Sequence, residues 1–202
     1  METVIANTKV SVTQFRKMLF DDDDSYYYEI IDGEMIRKSA PTPMHQEISR
    51  NLLFVLETYN RQYKKGNIFY APVDVYLDEY NKPQPDLVFV STEKKAIITN
   101  DGIMGIPDLI VEIISPTSVI RDRIEKKNLY ERMSVQEFWI VDPQYEAIEM
   151  YALQNNRYEL LSAATTLEGE LTSALFVGLT INLRDIFSAA EAPALKGEEK
   201  NL

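Results

Sequence analysis

Two spacings of apolar residues run through this chain, one of about 3.6 and one of 2, and together they predict an alternation of helices and strands. Residues 11–20, SVTQFRKMLF, place Phe15, Met18 and Leu19 at helical spacing behind a Ser/Thr start. An acidic loop, DDDDS, follows. Residues 26–38, YYYEIIDGEMIRK, read as a hairpin turning at Asp32-Gly33, because glycine tolerates the positive φ of a tight turn. Residues 43–64 predict the longest helix. Thr42 can cap it, Pro43 suits its first position and Gly66 is expected to end it. Ile48, Leu52, Val55, Leu56, Tyr59 and Tyr63 form its buried stripe.

The second half is richer in strands. NIFYA (67–71) and VDVYL (73–77) read as one strand bent at Pro72. LVFVS (87–91) and DLIVEIIS (108–115) are short, β-branched and bounded by Pro or Gly. Residues 117–133 predict a helix. EFWIVD (137–142), AIEMYAL (147–153) and RYELLS (157–162) then predict a meander, with turns at Asp142-Pro143 and Asn155-Asn156. LRDIFSAA (183–190) predicts a last helix before a charged tail. The order is that of one mixed α/β domain over residues 1–202, a central mixed sheet flanked by helices.

The strand 108–115 breaks its own pattern. Leu109, Val111 and Ile113 face one side and Ile110, Glu112 and Ile114 the other, so both faces are apolar except at Glu112. A carboxylate there needs a metal ion or a buried cation to stabilise it. Asp86 stands at the mouth of the neighbouring strand, behind Pro85. Asp108 is its rival, but it lies on the same strand as Glu112, with Cα atoms roughly 13 Å apart, too far to share an ion. Asp86 comes from another strand and can lie beside Glu112. In the following helix Asp122 and Lys126 are spaced i, i+4, which alone describes a surface ion pair. Lys126 shares a face with Leu129, Tyr130 and Met133, whereas Lys127 continues the line of Ile120 and Ile124, and spacing does not choose between the two lysines.

Composition changes this picture in one respect. The net charge of −11 weighs against broad electrostatic binding to nucleic acid. The chain has no cysteine, which excludes thiolate zinc sites. No basic run with an apolar stretch opens the sequence and no apolar run is long enough to span a membrane, so a cytoplasmic protein is the expectation.

The segments QPDLVFV, PDLIVEIISPTS, RDRIEKKNLY and EFWIVDP, preceded by YYYEIIDGEM and PTPMHQEI, resemble a large bacterial family of putative restriction endonucleases, a domain of unknown function within the PD-(D/E)XK nuclease superfamily. The resemblance covers roughly residues 11–165. It implies a restriction-endonuclease-like core with Asp86, Glu112 and Lys126 as the catalytic set. Asp86, Glu112 and the backbone carbonyl of Ile113 are expected to hold Mg²⁺ or Mn²⁺, with the lysine beside the attacking water. The superfamily places its lysine two residues after the glutamate, where this chain has Ile114; the resemblance moves it to Lys126. Glu29, His45, Glu47 and Asp122 are accessory candidates, although a polar residue in a first helical turn, such as His45, is also an ordinary capping or surface residue. The implied activity is DNA phosphodiester hydrolysis by a homodimer, with Tyr145, Tyr151 and the meander strands offering an interface. The alternatives are an inactive binding module of the same fold and a hydrolase of another phosphoester.

Overall fold

The structure, a computed structural model, describes residues 3–4, 9–18 and 26–188. Strand β1 (Thr3–Val4) precedes α1 (Val12–Phe15), whose first turn is closed by a capping box between Ser11 and Gln14. The helix predicted over 11–20 is thus a single turn, and Met18 is exposed rather than packed; Leu19 and the acidic loop lie outside the described residues. The expected hairpin is β2 (Tyr27–Ile31) and β3 (Glu34–Lys38), turning through Asp32 (φ 50°) and Gly33 (φ 82°). With β1 they form a small antiparallel sheet in the order β1-β3-β2.

Helix α2 (Pro43–Tyr63) starts as expected, with the Thr42 side chain accepting a hydrogen bond from the His45 amide. It ends differently. Lys64, not Gly66, takes the left-handed C-terminal conformation (φ 52°). Gly66 instead opens β4 (Gly66–Tyr70), where a Cβ would stand 2.2 Å from the Val90 carbonyl oxygen; the glycine is needed for close approach between strands. Nor do residues 67–77 make one bent strand. The chain leaves β4 after Tyr70, and residues 73–77 run beside residues 102–103, with Val75 bridging Ile103.

A six-stranded sheet forms the centre, in the order β11-β10-β9-β8-β5-β4. Its remaining strands are β5 (Leu87–Ser91), β8 (Leu109–Ile113), β9 (Glu137–Asp142), β10 (Ala147–Gln154) and β11 (Arg157–Thr165); between β5 and β8 lie a 3₁₀ turn (Thr92–Ile97) and the two-residue strands β6 (Ile98–Thr99) and β7 (Gly102–Ile103). Only the β8–β9 pair is parallel among the described strands of this sheet. The intervening connection is the helix expected at 117–133, which begins two residues later and carries a π-helical segment (Arg121–Lys126) before α3 (Lys127–Arg132). A final short helix, α4 (Leu183–Phe187), is shorter than the predicted 183–190, of which the last two residues lie outside the described part.

Alternation divides the core in two. Leu87, Phe89, Leu109, Val111, Ile113, Trp139 and Val141 face α2 and the C-terminal segment. Val88, Val90, Ile110, Ile114, Phe138 and Ile140 face α3 and the small sheet. Every residue of β8 and β9 is buried, which a parallel pair covered on both faces requires. This corrects the expectation that β9 could serve an interface: it is flanked by β8 and β10 and has no free edge. Tyr145 is exposed as expected, but Tyr151 is half-buried, donates to Glu149 and carries the Lys127 ammonium 3.5 Å from its ring centre. No helix is long and apolar enough among the described residues to cross a membrane.

Glu137 is a buried carboxylate that the sequence pattern does not distinguish from its apolar neighbours. It accepts hydrogen bonds from Trp139 Nε1 (2.9 Å), Ser173 Oγ (2.8 Å) and the amides of Ala174 and Leu175, and so pins the C-terminal segment to β9. Glu137→Ala leaves four donors without their partner, two of them on the buried Trp139 and Ser173, and urea denaturation is expected to show a loss of about 3–5 kcal/mol. A loss below about 1 kcal/mol would remove this anchor from the account of the fold.

Candidate active site

A cavity of about 780 Å³ opens where the end of β8, the start of β5, the first turn of α2 and the end of β3 meet. Asp86, Glu112, Ile113, His45, Asp122 and Lys38 are on its wall. The placement follows from strand alternation. Glu112 shares its sheet face with Ile110 and Ile114, and Asp86 shares the same face with Val88.

Glu112 is 2% exposed, and its Oε1 accepts from Lys126 Nζ (3.0 Å) and Tyr130 Oη (2.6 Å). Burial dominates its ionisation and, helped by Asp122 and Glu29, pushes the carboxyl up to about 8 despite the opposing charge of Lys126. Lys126 is 1% exposed. Besides Glu112 it binds Glu29 Oε1 at 3.0 Å, and Asp122 Oδ1 lies 3.6 Å away. Burial alone would lower this ammonium, but the three carboxylates hold it well above the usual lysine value. Asp122 and Lys126 are therefore not the surface pair that i, i+4 spacing describes; both are buried. The lysine ambiguity is resolved by contact. Lys126 turns inward to Glu112, and Lys127 turns outward to Tyr151.

Glu29 stands on β2 opposite Ile36 and is fully buried. Its Oε1 accepts from the Gln84 amide (2.7 Å) and Lys126, and Lys38 Nζ lies 3.5 Å away. Burial would raise its pKa, yet Lys126, Lys38 and the Gln84 amide hold it down at about 2. Its Oε2 has no partner among the described atoms.

Asp86 is held from two sides. Oδ2 accepts the Ile113 amide at 2.7 Å, and Oδ1 lies 3.0 Å from His45 Nε2. Burial is again the largest influence, but the hydrogen bond and charge of His45, with Lys38 and the Ile113 amide, outweigh it and lower the carboxyl. An ionised carboxylate only accepts, so His45 Nε2 carries the shared proton. His45 thus joins the site through its side chain while its amide donates to the Thr42 cap of α2. A strand residue's N–H and C=O point to the same edge, so the Ile113 carbonyl faces the side where Asp86 stands. Glu47 is half-buried and makes no hydrogen bond or ion pair with this cluster among the described contacts. Asp108 acts elsewhere. It accepts the Ser91 amide (2.7 Å) and pairs with Lys94 (2.9 Å), fastening the turn after β5.

Sequence patterning misses one wall residue. Lys38, the last residue of β3, donates to the Gln84 carbonyl (3.1 Å). Its signal was a charge two residues beyond Ile36, on the buried face of a hairpin strand.

The side chains alone do not form a closed cage for a divalent cation. No three carboxylate or histidine side chains converge on one ion position among the described residues. Asp86 and Glu112 on the cavity wall, together with the Ile113 carbonyl, are hard oxygen donors, the type that Mg²⁺ takes together with water and substrate oxygens. The donor chemistry fits.

Residues 12–184 match the model of the Uma2 family, described as putative restriction endonuclease. The chain belongs to the Uma2 family. Among curated proteins, the uncharacterized protein sll1609 of Synechocystis is 27% identical over 171 residues, covering 83% of this chain and 93% of that one. Among solved structures, a putative nuclease belonging to DUF820 from Anabaena variabilis superposes with a TM-score of 0.68 at 17% identity, over 88% of this chain and 97% of that one. The fold is the restriction-endonuclease-like one expected from the sequence, a mixed central sheet with helices on both faces.

The buried cluster carries a stability expectation for this Uma2 protein. Lys126→Met leaves Glu29 and Asp122 without their central cation and should destabilise the fold by about 3–5 kcal/mol in urea titrations. Adding Glu29→Gln should recover part of that loss, since the two sites are in direct contact. Additive losses would mean that the ion pair is not what couples β2 to the helix.

Proposed function

We propose that the protein is a divalent-metal-dependent nuclease that hydrolyses DNA phosphodiester bonds. The observation that supports this most is the pairing of Asp86 and Glu112 on one cavity wall, at the positions where the family resemblance puts its acidic pair, with a buried lysine bound to the glutamate. In this reading Asp86, Glu112 and the Ile113 carbonyl hold the cation. Bound there, a divalent cation supplies Lewis-acid polarisation of a phosphoryl oxygen and a more acidic water.

The chain's own residues prepare that site. Lys126 and Tyr130 fix Glu112 through Oε1, which leaves Oε2 without a protein hydrogen bond among the described residues. His45 and the Ile113 amide fix both oxygens of Asp86 in direction while leaving each a further lone pair. The cavity's concave shape limits water around the reacting phosphate and strengthens the fixed charges. Two copies of the chain would bring one such site to each strand of a duplex.

A second reading is a module of the same fold that binds without cutting. Ile114 in place of the superfamily's lysine and the net charge of −11 favour it.

Plasmid and linear DNA cleavage with Mg²⁺ or Mn²⁺ separates the two. Cleavage should vanish in EDTA and fall by about 10²-fold or more in Glu112→Gln and Asp86→Asn, with both variants folded by thermal melting. DNA binding without cleavage under any of these conditions selects the binding module.

A further inference from the structure

The lysine expected at the reacting phosphate is Lys126, but the geometry closes it off. Its side chain is 2% exposed and it is not on the cavity wall. An ammonium has three N–H donors. Two of those on Lys126 are aimed at Glu29 and Glu112 at 3.0 Å, and Asp122 at 3.6 Å takes up the remaining direction. Turning Lys126 toward a substrate would strand three buried acids.

Three basic side chains do line the cavity: Lys38, His45 and Arg123. Arg123 is engaged by Asp142 (2.7 Å) and Glu149 (2.6 Å). His45 is engaged by Asp86. Lys38 is the least committed. Its side chain is 21% exposed, it donates to a neutral carbonyl at 3.1 Å, and its nearest carboxylate, Glu29, is 3.5 Å away and bound more closely by Lys126. One N–H of Lys38 remains for a ligand. Its charge also falls on Asp86 and Glu112, so it sits within electrostatic range of both.

Resting on the nuclease reading above, we propose that Lys38 is the lysine that touches the scissile phosphate, and that Lys126 is a positioning residue acting through Glu112. Lys38 holds a non-bridging phosphate oxygen and neutralises the charge that grows there during attack. Lys126 keeps Glu112 in place and never meets substrate. The superfamily's single lysine is thereby divided between two side chains from different elements.

The test uses the full chain with Lys38→Met, Lys38→Arg and Lys126→Met. In Mg²⁺, Lys38→Met should lose about 10²-fold in kcat while still melting cooperatively as a folded protein. Binding of a fluorescein-labelled DNA duplex, read by anisotropy in Ca²⁺ across a salt series, should show a log–log salt slope smaller by about one for Lys38→Met, with Lys38→Arg keeping the wild-type slope. Where Lys126→Met folds, it should keep the wild-type salt slope and bind Mn²⁺ more weakly by calorimetry, a change that loss of packing alone does not separate from DNA affinity in this way. Lys38→Met within about threefold of wild-type kcat and with an unchanged salt slope overturns the proposal. If the wild type binds DNA but does not cut it, the nuclease reading fails alone, and the salt slope still decides for or against Lys38 as the phosphate contact. If the wild type does not bind DNA at all, both fall.

Discussion

A single ammonium buried among three carboxylates governs how this fold is assembled. Lys126 comes from the π-helical turn, Glu112 from the central strand β8 and Glu29 from the separate small sheet. Each of these charges, buried without a partner, would be intolerably costly. Pairing makes their burial mutually dependent. The π-helical segment matters here because extra residues in a turn are common where a helix must aim a side chain at a site. The hydrogen bond from Tyr130, one turn further on, completes the enclosure of Glu112.

Two glutamates in adjacent central strands show why burial by itself does not mark function. Glu137 and Glu112 are both hidden from solvent. Glu137 meets four neutral donors and no cavity, so its charge is spread over hydrogen bonds that hold the C-terminal segment in place. Glu112 meets a cation on one oxygen and the cavity with the other side of its carboxyl. The difference is the geometry of the partners. One arrangement is saturated and the other keeps coordination capacity.

The acidity of the molecule is compensated locally at the cavity. A net charge of −11 disfavours wrapping a long stretch of polyphosphate. It does not prevent a local site in which acids are internally matched, and here Glu29 is matched by Lys126 and Lys38, and Asp86 by His45. Arg123, which could have added charge at the mouth, is neutralised by Asp142 and Glu149. Binding energy would have to come from a few contacts at the centre of the cavity.

The elements with a strong period were legible in the chain. The hairpin at Asp32-Gly33, the capped start of α2, β5, β8 and the meander follow from alternation, capping and turn residues, which act over a few positions and need no distant partner. Glu112 was legible for the same reason, as a charge interrupting an apolar strand. The resemblance to a nuclease family named the acidic pair. Distance in space was not legible. Whether Lys126 or Lys127 turned inward, that Glu29 and His45 join the cluster, that Gly66 serves a close strand contact, that residues 73–77 leave the sheet and that Lys38 faces the cavity all depend on which elements pack together. Local propensity decides the shape of each segment; the cost of burying a charge without its partner is set by residues about a hundred positions away, such as Glu29 and Lys126.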